Sequence, residues 1–205
     1  MAAQEVLERQ FPGRRAQLKR DILMTALTCF NEQGLEPTTI LDIRTRCATS
    51  VGNIYHHFRN KEGLIAALFF CVLDDQARLR EAYLDAARSA EEGVAALVGA
   101  YLEWVTTEPE LARFQFQARS SVAKGPQAEE LAERNRQRNR QIHEWMLHQS
   151  AREIHAAPPE LLPSLIIGQA ESYCRAWLSG RVASQPLDFK APLAKAAWAS
   201  LRIFS

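Results

Sequence analysis

Between Thr39 and Lys61 the chain sets out side chains suited to reading a nucleic-acid duplex. Asn53 carries an amide that pairs with an adenine edge or bonds a phosphate, and the methyls of Val51 suit a thymine methyl. Lys61 places a cation where a phosphate would complement it. None of this chemistry works unless the backbone holds these groups outward, and the local sequence supplies the means. Thr39 with Asp42 three residues on makes a capping box, so a helix begins there with free N–H groups able to receive a phosphate. Ile40 and Ile43 share one face of that helix, while Asp42, Arg44 and Arg46 point elsewhere. Ala48, Thr49 and Ser50 break it. Ser50 is a good N-cap for a second short helix in which Ile54 and Phe58, four apart, face inward and leave Val51, Asn53 and His56 outward. Asn60 then caps a third helix that starts at Lys61, a residue opposed to the helix dipole unless an external anion compensates it. Two short helices joined by a tight turn form a helix-turn-helix.

With those residues in view, the segment resembles the DNA-binding domain of the TetR/AcrR family of bacterial transcriptional regulators. That pattern ends in Gly, two variable residues, Tyr, an aromatic or His pair, Phe and Lys-Glu. Here Gly52, Tyr55, His56, His57, Phe58, Lys61 and Glu62 match it, and the likeness covers residues 15–70. The resemblance implies that Ser50, Val51, Gly52 and Asn53 enter the major groove while Thr39, Tyr55, His56 and Lys61 hold phosphates. Two positions depart from the pattern: Arg44 stands where a small residue usually marks the helix crossing, and Ala48 where the turn usually has Gly.

The remaining sequence bounds the rest. A chain of 205 residues, 47% hydrophobic and 24% charged, has an ordinary globular composition. It contains no apolar run of the roughly 18 residues that a spanning helix needs, and its first residues lack an apolar signal core, so a cytoplasmic protein without membrane contact is expected. Cys29, Cys47, Cys71 and Cys174 fit no metal-ligand spacing and read as reduced structural thiols. His143, His148 and His155 lack the spacing of a zinc pair, so no metal and no cofactor are expected. There is no phosphate-binding Gly loop, HExxH or GxSxG, hence no catalytic residue is assigned and an enzyme is not expected. The net charge is only +1, yet the first 61 residues carry nine Lys and Arg against six Asp and Glu. Arg14, Arg15, Lys19 and Arg20 read as the exposed basic start of a helix, which the resemblance implies lies near the DNA backbone.

Periodicity gives an all-α chain in three sections. Residues 1–13 read as a flexible arm, 14–62 as the helix-turn-helix domain, and 63–205 as a helical effector-binding and dimerisation domain, with about nine helices in all. Leu18, Ile22, Ala26 and Phe30 recur every four residues in a brace helix from Arg14 to Gln33, stopped by Gly34. A long helix from Lys61 links the sections and can act as a lever. Further helices are expected around Val94–Val105, Leu111–Ala118 and Gln127–Ser150, then from Leu161 to Ser179, and last from Pro192. The fan of Arg134, Arg136, Arg138 and Arg140 reads as a solvated face. Phe69, Phe70, Leu73, Tyr101, Trp104, Phe114 and Phe116 supply aromatic bulk for an apolar effector pocket between helices. By the family resemblance, the last two helices form a four-helix homodimer interface, with Leu165, Gln169, Tyr173, Trp177, Trp198 and Leu201 as its expected contacts. One helix-turn-helix reads few base pairs, so a symmetric pair on a palindromic double-stranded operator is expected. The expected function is repression relieved by a small, largely apolar effector. An activator of the same family, or a helical protein adaptor that ignores DNA, is the alternative.

Overall fold

A computed structural model of the chain describes residues 2–148 and 157–204, and among these the chain is all-α, with ten α-helices and no strand. In order they are α1 (Ala2–Gln10), α2 (Gln17–Gln33), α3 (Ile40–Cys47), α4 (Val51–Phe58), α5 (Lys61–Asp85), α6 (Ala90–Thr107), α7 (Pro109–Lys124), α8 (Ala128–His148), α9 (Leu162–Leu178) and α10 (Lys190–Leu201). Short 3-10 turns occupy Arg14–Ala16, Pro186–Phe189 and Arg202–Phe204. The expectations for Gln149, Ser150 and His155 lie outside the described residues. No helix among the described residues is long and apolar enough to cross a membrane.

The chain divides into two compact units, Met1–Asp75 with Glu108–Glu133, and Gln76–Thr107 with Arg134–Ser205. The sequence-based boundary at residues 62 and 63 therefore differs from the observed one: the unit that holds the helix-turn-helix continues along α5 to Asp75 and also takes in α7. The reason lies in α2, whose apolar side packs against α3, α7 and α1. Phe30 of α2 and Phe114 of α7 stack with centroids 5.7 Å apart, and Asn31 donates to the Glu110 carbonyl at 3.0 Å.

The segment before Gly13 is not the flexible arm that its sequence suggests. Ala3, Val6 and Leu7 fall at i, i+3 and i+4, forming a one-turn apolar stripe, and all three are buried, with Val6 and Leu7 at 0% exposure. Arg9 pairs with Asp75 at 3.0 Å and fastens the end of this helix to α5. The helix stops where the sequence breaks: Phe11-Pro12-Gly13 turns the chain, with Gly13 at φ 84°.

In the second unit, α6 packs on α9, α10 and the Pro186–Phe189 turn. Gly93 of α6 has no room for a Cβ, which would sit 2.1 Å from the Trp145 ring of α8. Helix α10 starts two residues before Pro192, because in the first helical turn a missing N–H forfeits no intrahelical bond.

Candidate nucleic-acid interface

The interface is assembled from caps inward. Thr39 and Asp42 form the expected capping box: the Asp42 N–H donates to Thr39 Oγ1 at 3.2 Å, and the Thr39 N–H donates to Asp42 Oδ2 at 2.8 Å. The Thr39 hydroxyl also donates to the same carboxylate at 2.7 Å. These bonds, the hydroxyl's first, hold the Asp42 carboxyl below its ordinary pKa. They also occupy the Thr39 hydroxyl proton, so a phosphate at this end meets helix N–H groups and not that proton.

Helix α3 leaves through Ala48, which takes the left-handed conformation at φ 51° and ψ 37° that a Gly would ordinarily fill. Arg44 is exposed, so its stem does not occupy the interior of the two-helix unit. Ile43 is the side chain of α3 that is buried, and Arg46 pairs with Glu32 to tie α3 to α2. Thr38, fully buried, donates its hydroxyl to the Gly34 carbonyl at 2.7 Å and steadies the loop between the two helices.

Ser50 caps α4, its Oγ accepting from the Asn53 N–H at 3.1 Å. Ile54 and Phe58 are the buried residues of α4. The opposite face is open, with Val51 36% and Tyr55 47% exposed, and Ser50, Gly52, Asn53 and His56 exposed as well. The Asn53 amide is steadied by donating to Thr49 Oγ1 at 3.1 Å, which leaves its oxygen and second N–H available. A Cβ at Gly52 would meet only Ser50 Oγ, at 3.7 Å, so nothing inside the protein requires glycine there. Glycine costs a helix about 1 kcal/mol relative to alanine, and a ligand that approaches the backbone closely offsets that cost.

At the far end of α4, Arg59 turns through φ 64° and Asn60 Oδ1 caps α5 by accepting from the Gly63 N–H at 2.7 Å. Lys61 Nζ donates to the Glu36 carbonyl at 3.0 Å, which places the ammonium beside the start of α3 with two donors to spare. His56 and His57 stand edge to face at 5.3 Å, and partial burial, then His56 and Lys19, lower the His57 pKa.

All eight residues expected at a duplex thus lie on or beside α3, α4 and the start of α5. One basic residue is different. Arg20, expected on the exposed start of α2, is 7% exposed and spends its guanidinium on the carbonyls of Phe11 and Gly13 and on Gln17. It cannot touch a phosphate. Its spacing holds the signal, since Arg20, Leu23 and Leu27 fall at i, i+3 and i+7 on the buried stripe.

The effector and dimer residues fall as follows. Phe69, Phe70, Leu73, Phe114 and Phe116 belong to the first unit, and Tyr101 and Trp104 to the second. Phe114 is wholly buried and stacked on Phe30, so it fills the core of the DNA-binding unit and does not line a cavity by its ring face toward Phe30. Leu165, Tyr173, Trp177 and Trp198 are half-buried and Gln169 is exposed, its amide 3.4 Å from Ser200 Oγ. Leu201 is 0% exposed within one chain and offers no surface to a partner. It completes the buried i, i+3, i+7 row with Ala194 and Ala197.

Known proteins share this arrangement. Residues 22–68 match the model of the tetR family of bacterial regulatory proteins. The transcriptional repressor KstR2 of Mycolicibacterium smegmatis is 32% identical over 92 residues, covering 45% of this chain and 45% of that protein. The transcriptional regulator BetI of Escherichia coli is 34% identical over 92 residues, covering 42% and 46%. The chain thus spans about half the length of the curated relatives it matches. The transcriptional regulator FadR of Bacillus subtilis, solved in complex with stearoyl-CoA, has the same fold, with a TM-score of 0.72 at 16% identity over 89% of this chain and 98% of that one. Capped helices, an outward recognition face and these matches agree: residues 22–68 form a DNA-binding domain of the tetR family of bacterial regulatory proteins.

Proposed function

We propose that this regulator is a cytoplasmic repressor that binds a palindromic DNA operator as a homodimer and releases it when a small, largely apolar effector binds. The observation that carries the reading is the α4 face, where Ser50, Val51, Gly52 and Asn53 are exposed on a helix whose only buried anchors are Ile54 and Phe58. Ser50 to Asn53 read base edges, and Tyr55, His56, Lys61 and the N–H groups behind Thr39 hold phosphates. Two copies are needed because one such unit covers too few base pairs for useful specificity. Leu165, Gln169, Tyr173, Trp177 and Trp198 supply the contact between copies. A largely apolar effector is supported by the stearoyl-CoA in the FadR complex. An effector that binds better to the conformer with misplaced recognition helices empties the operator by population shift.

Footprinting of the DNA upstream of the protein's own gene, with and without stearoyl-CoA and other apolar compounds, tests this. Two protected half-sites related by a dyad, cleared by one class of compound, are expected; a single asymmetric footprint would contradict the dimeric reading. Trp198→Arg should give monomers in sedimentation, and a variant that stays dimeric would place the interface elsewhere.

A further inference from the structure

Arg20 is buried, yet among the described residues no carboxylate neutralises it. Nη1 donates to the carbonyl of Gly13 at 2.9 Å and to that of Phe11, and Nη2 donates to Gln17 Oε1. A buried guanidinium is tolerable only while its donors are met, so Arg20 and the Phe11–Gly13 turn hold each other in place. The planar fork that spans two carbonyls and an amide is peculiar to Arg. Gly13 sits at φ 84°, and a Cβ there would meet nothing within 4 Å, so the turn needs glycine for its backbone and not for space.

Lys19 links this turn to the recognition helix. Lys19 Nζ stands 3.8 Å from the centroid of the Phe11 ring and 5.9 Å from that of Phe58, the last residue of α4. Arg14 and Arg15 follow Gly13 directly, both exposed and without a partner among the described residues. Phe11, Gly13, Arg14, Arg15, Lys19 and Arg20 all precede residues 22–68, the span of the family match.

We propose that Arg20 is a positioning residue: by clamping the Phe11–Gly13 turn from inside, it presents Arg14 and Arg15 beside the recognition helix as a sequence-independent clamp on backbone phosphates of the duplex. The inference rests on the DNA-binding reading above. Buried Arg20 touches no DNA itself, and it acts through the two arginines that it fixes. The clamp adds affinity common to all duplexes and none of the base preference, because phosphates carry no sequence.

The test is fluorescence anisotropy with the full chain on an operator duplex and on a scrambled duplex across a salt series. For the exposed pair changed together, Arg14→Ala with Arg15→Ala, the slope of log affinity against log salt should fall by about 2 per bound protomer on both duplexes, at roughly 0.9 for each phosphate no longer neutralised. Arg20→Met should reproduce most of that decrease, and adding it to the double change should remove little more. Gly13→Val, strained in the backbone but facing open space, should do the same with the core intact, and it carries the test if Arg20→Met fails to fold. A merely structural role for Arg20 would lower the folded fraction and leave the slope of the folded protein untouched. A wild-type slope in the Arg14 and Arg15 variant, or in Gly13→Val, overturns the proposal. A wild-type chain that ignores both duplexes at low salt would instead sink the DNA-binding reading itself.

Discussion

Removing the side chain of Ile54 should detach the recognition helix without unfolding the protein. Helix α4 has 8 residues, and its buried side chains are Ile54 and Phe58. A helix that short is nearly unpopulated alone, since isolated helices below roughly 12 residues are marginal in water. Its order therefore comes from docking these two side chains on the rest of the unit. Ile54 is 0% exposed, and Ile54→Ala costs about 2–5 kcal/mol through reduced transfer energy and a cavity. If about 3 kcal/mol of that falls on the docking of α4, duplex affinity drops on the order of 100-fold, at 1.4 kcal/mol per factor of ten. Leu23→Ala is the control, because Leu23 is equally buried but lies on α2. Both variants should lose similar thermal stability by circular dichroism. Only Ile54→Ala should lose affinity in anisotropy at a temperature where both remain folded, and its α4 amides should exchange hydrogen faster. Equal affinities for the two variants would refute the argument that two anchors hold α4.

Lys61→Ala should weaken binding to every duplex alike and lower the salt slope by about 1 per half-site in anisotropy; an effect confined to one operator would contradict a phosphate role. Asn53→Ala should relax preference at one or two base pairs, worth about 1–3 kcal/mol, in a selection on randomised half-sites; unchanged preference would remove Asn53 from the reading set. Glu108 is 9% exposed, and burial, then Asp75, push its carboxyl up to about 7. The unfolded chain gives up this proton at lower pH than the folded one, so stability should fall as pH rises from about 4.5 to 7 and level off above, by at most about 3 kcal/mol. Glu108→Gln should flatten that decline in thermal melts taken across the window; a decline of the same depth in the variant would assign it to other groups.

The caps of α3, α4 and α5 are legible in the sequence because each is local: a Thr, Ser or Asn and a partner two or three residues on decide them. The left-handed Ala48 is expected from the helix-turn-helix pattern, which usually has Gly at that place in the turn. Helix α1 is hard to see because Ala3, Val6 and Leu7 make only one turn of apolar stripe before Phe11-Pro12-Gly13, and its order depends on α2 and on the distant Asp75. Charge groups Arg20 with its basic neighbours, although its register with Leu23 and Leu27 belongs to the buried face. Burial of Phe114 against Phe30 and of Leu201 within its own chain depends on packing between helices far apart in sequence, which periodicity along one helix does not encode. The units likewise cross the sequence, since α7 joins the helix-turn-helix through α2.

The central claim is that an exposed, capped α4 carries Ser50 to Asn53 into a duplex while cations around it neutralise phosphates. Its most direct measurement is the equilibrium affinity of the wild-type chain for DNA from upstream of its own gene between about 50 and 200 mM salt. The account predicts binding at the low end and a linear log–log decline on the order of a thousandfold across the range, as for a protein that holds about six or more phosphates. No binding at the low end, or an affinity indifferent to salt, would contradict it.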